Sequence, residues 1–252
     1  MGTHGGAFQE APRLKLSVVV PAYNEESLLA ATLGSIRSAA RGFDGSWSWE
    51  LIVCDNNSTD RTAEIARAAG AQVVFEPHNQ IARARNRGAQ AAAGEWLLFI
   101  DADSPPTPGL FEDLRNAIER GDVLAGGSTI AAEGSPGFRI AIRAWNALSR
   151  ATRWAAGSFI FCRREAFSSL GGFSEELYAS EELEFFQRLK PLARQRGKRI
   201  VILHRHPLRT SDRKLRLYGW RELLGYFGRF LLHPRRSLRN PADCKPWYDG
   251  RR

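Results

Sequence analysis

Residues 95–103 read Glu95-Trp96-Leu97-Leu98-Phe99-Ile100-Asp101-Ala102-Asp103. Leu97, Leu98, Phe99 and Ile100 run without polar alternation. That is the pattern of a strand buried on both faces, and such strands belong to parallel sheets covered by helices. Pro105, Pro106 and Pro108 follow and stop the strand. Asp101 and Asp103 therefore sit at its carboxyl end, where open α/β sheets bind ligands. Two hard oxygen donors at that place suit Mg²⁺ or Mn²⁺ carrying a diphosphate. A carboxylate pair that merely caps a solvated turn is the plainer alternative, and the rest of the chain decides between them.

Upstream, strand and helix patterns alternate. Leu16 to Val20 is a first apolar strand, ended by Pro21. Leu28, Leu29, Thr32, Leu33 and Ile36 recur at helical spacing, so a helix runs to about Ala40. Leu51 to Cys54 is a second strand ending at Asp55, and Ser58, Thr59 and Asp60 offer caps for the next helix, which closes at Gly70. Gln72 to Phe75 is a third strand, Ile81 to Ala93 a helix, and Leu110, Leu114, Ala117 and Ile118 form one face of a helix after the aspartates. Such alternation is the signature of a parallel sheet with right-handed crossovers.

Downstream, Val123 to Ile130 and Gly157 to Cys162 read as strands, Phe138 to Thr152 and Glu181 to Arg194 as helices, and Ile200 to Leu203 as a last strand before His204-Arg205-His206-Pro207. Residues 218–232 read as a basic amphipathic helix that packs on the domain, forms a dimer contact or lies on an anionic membrane surface. The division expected is a loose tail over 1–14, one α/β domain over 15–215 (nucleotide-binding half 15–120, acceptor half 121–215), and a helix and tail over 216–252.

The chain has 252 residues and a net charge of +9, with charge thickening after Arg188. Basic balance fits nucleic acid, acidic headgroups or phosphorylated small molecules. No helix-turn-helix, zinc finger or aromatic RNA platform is evident, so nucleic acid is not the expected partner. Of three cysteines, Cys54 and Cys162 lie in apolar runs and read as buried free thiols of a reducing compartment. Neither a signal peptide nor an apolar run of membrane-spanning length is visible, so a cytoplasmic protein is expected, with the inner face of the membrane as a peripheral alternative.

Four strand ends thus supply Pro21-Ala22-Tyr23-Asn24-Glu25, Asp55, the segment around Glu76, and Asp101 with Asp103 to one edge. Arg83 and Arg85 lie on the helix before the aspartate strand, where arginines and a helix N-terminus serve phosphate oxygens. In this ordered set the chain resembles the family 2 glycosyltransferases with the GT-A fold. The matches are Val18 to Glu25, Leu51 to Asp60, Ala84-Arg85-Asn86-Arg87-Gly88, Gly94 to Asp103, and Gly171-Gly172-Phe173 followed by Ser180-Glu181-Glu182-Leu183-Glu184. The fold implied is a mostly parallel, Rossmann-like sheet with helices on both faces.

The resemblance implies roles. Pro21, Tyr23 and Glu25 look like the nucleoside-contacting loop, Asp55 like the carboxylate that reads the base, and Arg85 like a diphosphate contact. Asp101 and Asp103 look like the Asp-x-Asp pair, with Asp103 the direct ligand of Mg²⁺ or Mn²⁺. Glu181-Glu182 stands where the family usually has Glu-Asp or Asp-Asp. Both being Glu leaves the general base open between them, with Glu182 preferred. His204 and His206 stand where many such enzymes take a further metal ligand; a surface pair among arginines is the alternative.

The activity implied is inverting transfer of a sugar from a UDP- or GDP-sugar to an acceptor hydroxyl, the acceptor being unidentified, with a phosphorylated or lipid-linked one compatible with the basic C-terminal region. Two other functions stay in view. A nucleotidyltransferase needs a Gly- and Lys-containing loop after the first strand, which 21–25 is not. A non-enzymatic basic binding protein rests on the net charge. Taken singly, Tyr23 could be a packing residue and Asp55 a strand-end cap, and Glu181, Glu182 and Glu184 read more readily as a solvated helix start than as a base.

Overall fold

The computed structural model describes residues 14–43, 47–131, 136–155 and 157–209. The expectations for 1–13 and for 210–252, including the basic helix over 218–232 and Cys244, lie outside the described residues. The apolar run forms β4 (Trp96–Ile100), with all five residues buried. It pairs parallel with β1 (Leu14–Ala22), Val19 opposite Phe99, and antiparallel with β6 (Phe159–Arg163), Leu98 opposite Phe161. β2 (Ser48–Asp55) and β3 (Gln72–Phe75) continue the sheet on the β1 side. β5 (Val123–Ala131) and β7 (Arg199–Arg209) continue it on the other. The seven strands lie in the order β3-β2-β1-β4-β6-β5-β7, and β6 alone opposes its neighbours.

Alternate side chains of the central strands feed two cores, as period-2 geometry requires. Val18, Val20, Leu98 and Ile100 join a cluster with Leu29, Leu33 and Ile36 of α1 (Leu29–Ala40) and Leu110 and Leu114 of α4 (Pro108–Glu119). Val19, Leu97 and Phe99 join the other with residues of α3 (Ile81–Ala91), α6 (Arg164–Ser169) and α7 (Glu181–Gln195). α2 (Thr62–Ala68) lies on the first face, and α5 (Pro136–Thr152) follows β5. Gly88 lets α3 lie against β1, because a Cβ there would stand 2.4 Å from Val19 Cγ1. Cys54 and Cys162 are buried free thiols. Among the described residues no helix is long and apolar enough to cross a membrane.

Two strand ends differ from expectation in ways that bear on the site. β1 does not stop at Pro21 but continues to Ala22. Its pairing with β4 ends at Val19, so beyond that point proline's missing donor leaves only the β2 side to satisfy. β7 does not stop at Leu203; it runs to Arg209 because Leu208 and Arg209 pair with Ile130 and Ala131 after a register shift. His204 and His206 therefore lie inside a strand rather than beyond one. The short α6 was not legible in its sequence.

Chain order reverses between β1 and β4. From β1 the sheet grows through β2 and β3 to one side, and then β4 is added on the other. Such a switch point opens a crevice at the carboxyl ends of the strands.

Candidate active site

At that crevice the β1–α1 loop and the β2–α2 loop are fastened together. Asn24, in the left-handed region at φ 52°, accepts from the Thr59 N–H at 2.8 Å through Oδ1. The Asn24 N–H donates to Ser58 Oγ at 3.0 Å and the Glu25 N–H to Thr62 Oγ1 at 2.8 Å. Asp55 Oδ1 accepts from the Ser58 N–H at 3.0 Å, so this buried carboxylate does cap its strand end. The backbone of Asn56 donates to Ala22 O at 2.8 Å, and its side chain holds the β3–α3 loop through Glu76 O, His78 O and the Gln80 N–H. Pro21, Tyr23, Glu25 and Asp55 are thereby brought to one corner. Tyr23 is half-buried and Glu25 is buried.

The centre of the site is Arg85. Its side chain is 1% exposed, Nη1 donates to Glu181 Oε1 at 2.6 Å, and Nη2 donates to Asp101 Oδ1 at 2.9 Å. Glu182 Oε1 lies 3.8 Å from Nη1. The guanidinium also stands 5.4 Å from the Phe173 ring centre. One cation thus faces three carboxylates from two distant parts of the chain. Arg85, expected as a diphosphate contact, is thus buried and bonded to carboxylates of the site. A planar fork is suited to bridging two carboxylates.

Two amides deliver α7 to this cation. Asn86 clamps Phe173, donating to its carbonyl and accepting from its N–H, each at 2.9 Å. Gln80 Nε2 donates to the Glu175 and Leu177 carbonyls at 2.8 and 2.9 Å. Gly172, at φ 75°, leaves no space for a side chain, since a Cβ would stand 2.6 Å from Asn86 Oδ1. Ser180, also left-handed at φ 61°, then turns the chain into α7 so that Glu181 and Glu182 open its first turn. Asn86 and Gln80 were not legible as site residues; only the run from Ala84 to Gly88 pointed near them.

The two glutamates differ. Glu181 is 2% exposed, whereas Glu182 is 14% exposed and accepts from the Gly157 N–H at 3.3 Å. Burial pushes the Glu181 carboxyl up from its ordinary value, the charge of Glu182 adds to this, and Arg85 opposes it. Three carboxylates around one guanidinium leave excess negative charge, so the upward direction is the one the charge count supports. The folded chain therefore holds a proton that the unfolded chain releases, and stability falls as pH rises from about 4.5 toward about 8. Glu181→Gln keeps an acceptor for Arg85 and removes the titration. Thermal midpoints of this variant, followed across that range, are expected to decline less than those of the parent.

Asp101 and Asp103 follow β4 in a short turn, in which Asp103 Oδ1 accepts from Ser104 Oγ at 3.1 Å. Both are half-buried. Among the described residues no three His, Cys, Asp or Glu side chains gather as a preformed metal cluster. His206 Nδ1 lies 3.0 Å from Asp113 Oδ2 on α4, and His204 Nδ1 lies 3.3 Å from Ile202 O; both rings are exposed. The arrangement thus brings Arg85, Asp101, Glu181 and Glu182 together and sets the two histidines against other partners. Two carboxylates without a third protein ligand still fit Mg²⁺ or Mn²⁺ that arrives with a diphosphate, because such ions use one or two carboxylates plus substrate oxygens.

A switch-point sheet with one reversed strand, carrying carboxylates at the crevice, is a GT-A-type nucleotide-binding architecture. Glucosyl-3-phosphoglycerate synthase of Mycobacterium tuberculosis, solved with Mn²⁺, UDP-glucose and phosphoglyceric acid, superposes with a TM-score of 0.58 at 22% identity, covering 78% of this chain and 71% of that one. A mannosyltransferase of Pyrobaculum calidifontis, solved with GDP-mannose and Mn²⁺, gives a TM-score of 0.61 at 21% identity, covering 93% of this chain and 65% of that one. The model of glycosyl transferase family 2 matches residues 17–173, and the chain belongs to that family. An uncharacterized glycosyltransferase of Mycobacterium tuberculosis is 37% identical over 112 residues, which are 44% of this chain and 47% of that protein. The chain spans about half the length of the curated relatives it matches.

Proposed function

We propose that the chain transfers a sugar, with inversion, from a nucleotide-diphosphate sugar to an acceptor hydroxyl, using Glu182 as general base. The observation that carries this reading is the convergence of Asp101 and Glu182, 81 positions apart in sequence, around the buried cation Arg85. The fold supports a nucleotide in the corner formed by Pro21, Tyr23, Glu25 and Asp55. Asp103 and Asp101 would hold the divalent cation. When bound, that ion supplies positive charge to the leaving diphosphate. Structural neighbours solved with UDP-glucose or GDP-mannose, each with Mn²⁺, support a UDP- or GDP-sugar as the donor class.

The chain's own residues divide the remaining work. Arg85 fixes the Asp101 carboxylate and the first turn of α7 as one unit, so the metal-side and acceptor-side groups keep their separation. Glu181 is a positioning residue that completes the Arg85 fork. Glu182, the more open of the pair, takes the acceptor proton as the new bond forms. Direct displacement with one base gives inversion at the anomeric carbon. The test is release of nucleoside diphosphate from a panel of UDP- and GDP-sugars in the presence of Mn²⁺ and acceptor extract. Turnover of one donor, lost on the order of a hundredfold or more in Asp103→Ala, is expected; turnover indifferent to Asp103→Ala contradicts the assignment.

A further inference from the structure

Away from the crevice, α5 presents an unusual outer face. Residues 136–153 contain Arg139, Arg143, Arg150 and Arg153 and no acidic residue. The helix is docked by Asn146, whose side chain bonds both the N–H and the carbonyl of Ile130 at 3.1 and 2.8 Å, and by the buried Ser149. Phe138, Ile142 and Trp145 lie half-buried on that inner side. The opposite side carries Ile140, Ala144 and Leu148 at i, i+4 and i+8, with Ala147 and Ala151 beside them, all exposed. Ile140 is 65% exposed and Leu148 48%. On a helical wheel Arg139, Arg143 and Arg150 form a stripe directly beside this apolar one.

The charge continues past the helix. Arg150 and Arg153 enter a hollow of about 360 Å³ over β7 that also takes Arg120, Arg199 and Arg205. Among the described residues the only acid lining it is Asp113, which holds His206. Arg153 also borders a second hollow with Lys190, Arg194 and Lys198, and Arg143 and Arg150 a third. Arg199 is paired with Asp122, but no ion pair among the described residues engages Arg143, Arg150, Arg153 or Arg205. Lys190 is pushed below its ordinary value, by burial first and then by Arg194 and Arg153. A row of apolar side chains alone would suit many partners, and a basic groove alone would suit any polyanion. The two side by side, on one helix, match a surface with anionic headgroups above an apolar layer.

We propose that the outer face of α5, with the arginines of the adjoining hollows, docks the chain on the surface of an anionic phospholipid bilayer. Ile140 and Leu148 enter the headgroup boundary, while Arg143, Arg150 and Arg153 meet lipid phosphates. This docking is independent of which nucleotide sugar the crevice takes.

The test is sedimentation of the full chain with phosphatidylcholine vesicles and with vesicles containing phosphatidylglycerol. Parent chain is expected to sediment with the anionic vesicles and hardly with the neutral ones, and high salt is expected to weaken this. Removing three arginines, as Arg143→Ala, Arg150→Ala and Arg153→Ala together, is expected to weaken partitioning on the order of a hundredfold. Ile140→Ser with Leu148→Ser is expected to weaken it about tenfold or more. All five positions are exposed, and unchanged circular dichroism and thermal midpoint identify variants that fold. Vesicle binding equal in parent and variants overturns the proposal, as does absence of binding to anionic vesicles. Competition by free glycerol phosphate would assign the basic hollows to a soluble phosphate and also overturn it. A mass shift to dimer that is lost in the Ile140 and Leu148 variant would assign the face to a second copy instead.

Discussion

Glu182→Gln is expected to lower the rate of sugar transfer by about 10²–10⁴, the range a positioned general base contributes, with a thermal midpoint close to that of the parent. The amide keeps an acceptor for the Gly157 N–H, which Glu182 Oε1 meets at 3.3 Å. It cannot take a proton. Glu181→Gln separates the two neighbours. That carboxyl is buried and bonded to Arg85 at 2.6 Å, out of reach of an acceptor hydroxyl. Its replacement is expected to change the pH dependence of stability while leaving most of the rate. Initial rates of both variants at saturating donor decide the matter. A larger rate loss in Glu181→Gln than in Glu182→Gln would reverse the assignment of base and positioning residue.

Arg85→Met is expected to be the most damaging single substitution to stability in the described chain. Methionine roughly fills the volume but removes the cation bonded to Asp101 and Glu181 and near Glu182. A buried ion pair broken from one side costs about 3–5 kcal/mol, because the remaining charge is left uncompensated. In a domain of this size that lowers the thermal midpoint by roughly 10 °C. Arg85→Lys keeps the charge but cannot span two carboxylates with a fork, so an intermediate loss is expected. The double variant Arg85→Met with Glu181→Gln is expected to lose less than the sum of the two single losses, since both changes act on the same contact. Denaturant unfolding of the single and double variants measures that coupling. Strict additivity would show that Arg85 and Glu181 do not share the energy their 2.6 Å contact implies.

The parts of this architecture that were legible in the sequence are those set by local pattern. Leu97 to Ile100 could be read as a doubly buried strand because helices on both sides demand an unbroken apolar run. Asp101 and Asp103 then followed from position alone. The same logic located the crossover helices of the first half. The roles of Asn24, Asn56, Gln80 and Asn86 were not legible, because each amide hooks backbone that its own neighbourhood does not reveal. Gln80, for example, reaches Glu175 and Leu177, 95 and 97 positions away. Arg85 stood out in its motif but was not legible as a buried hub, since its partner Glu181 lies 96 positions on. The β7 extension was hidden for another reason. Edge strands tolerate polar side chains and proline, so His204-Arg205-His206-Pro207 reads locally as a loop.

The central claim is that Asp101, anchored through Arg85, and Asp103 form a metal-dependent nucleotide site. Calorimetric titration of the chain with UDP and with GDP, each with and without Mn²⁺, tests it most directly. The expected result is binding of one nucleotide that requires Mn²⁺ and disappears in Asp103→Ala. Binding of neither nucleotide, or binding unchanged by Mn²⁺ and by Asp103→Ala, would contradict the account.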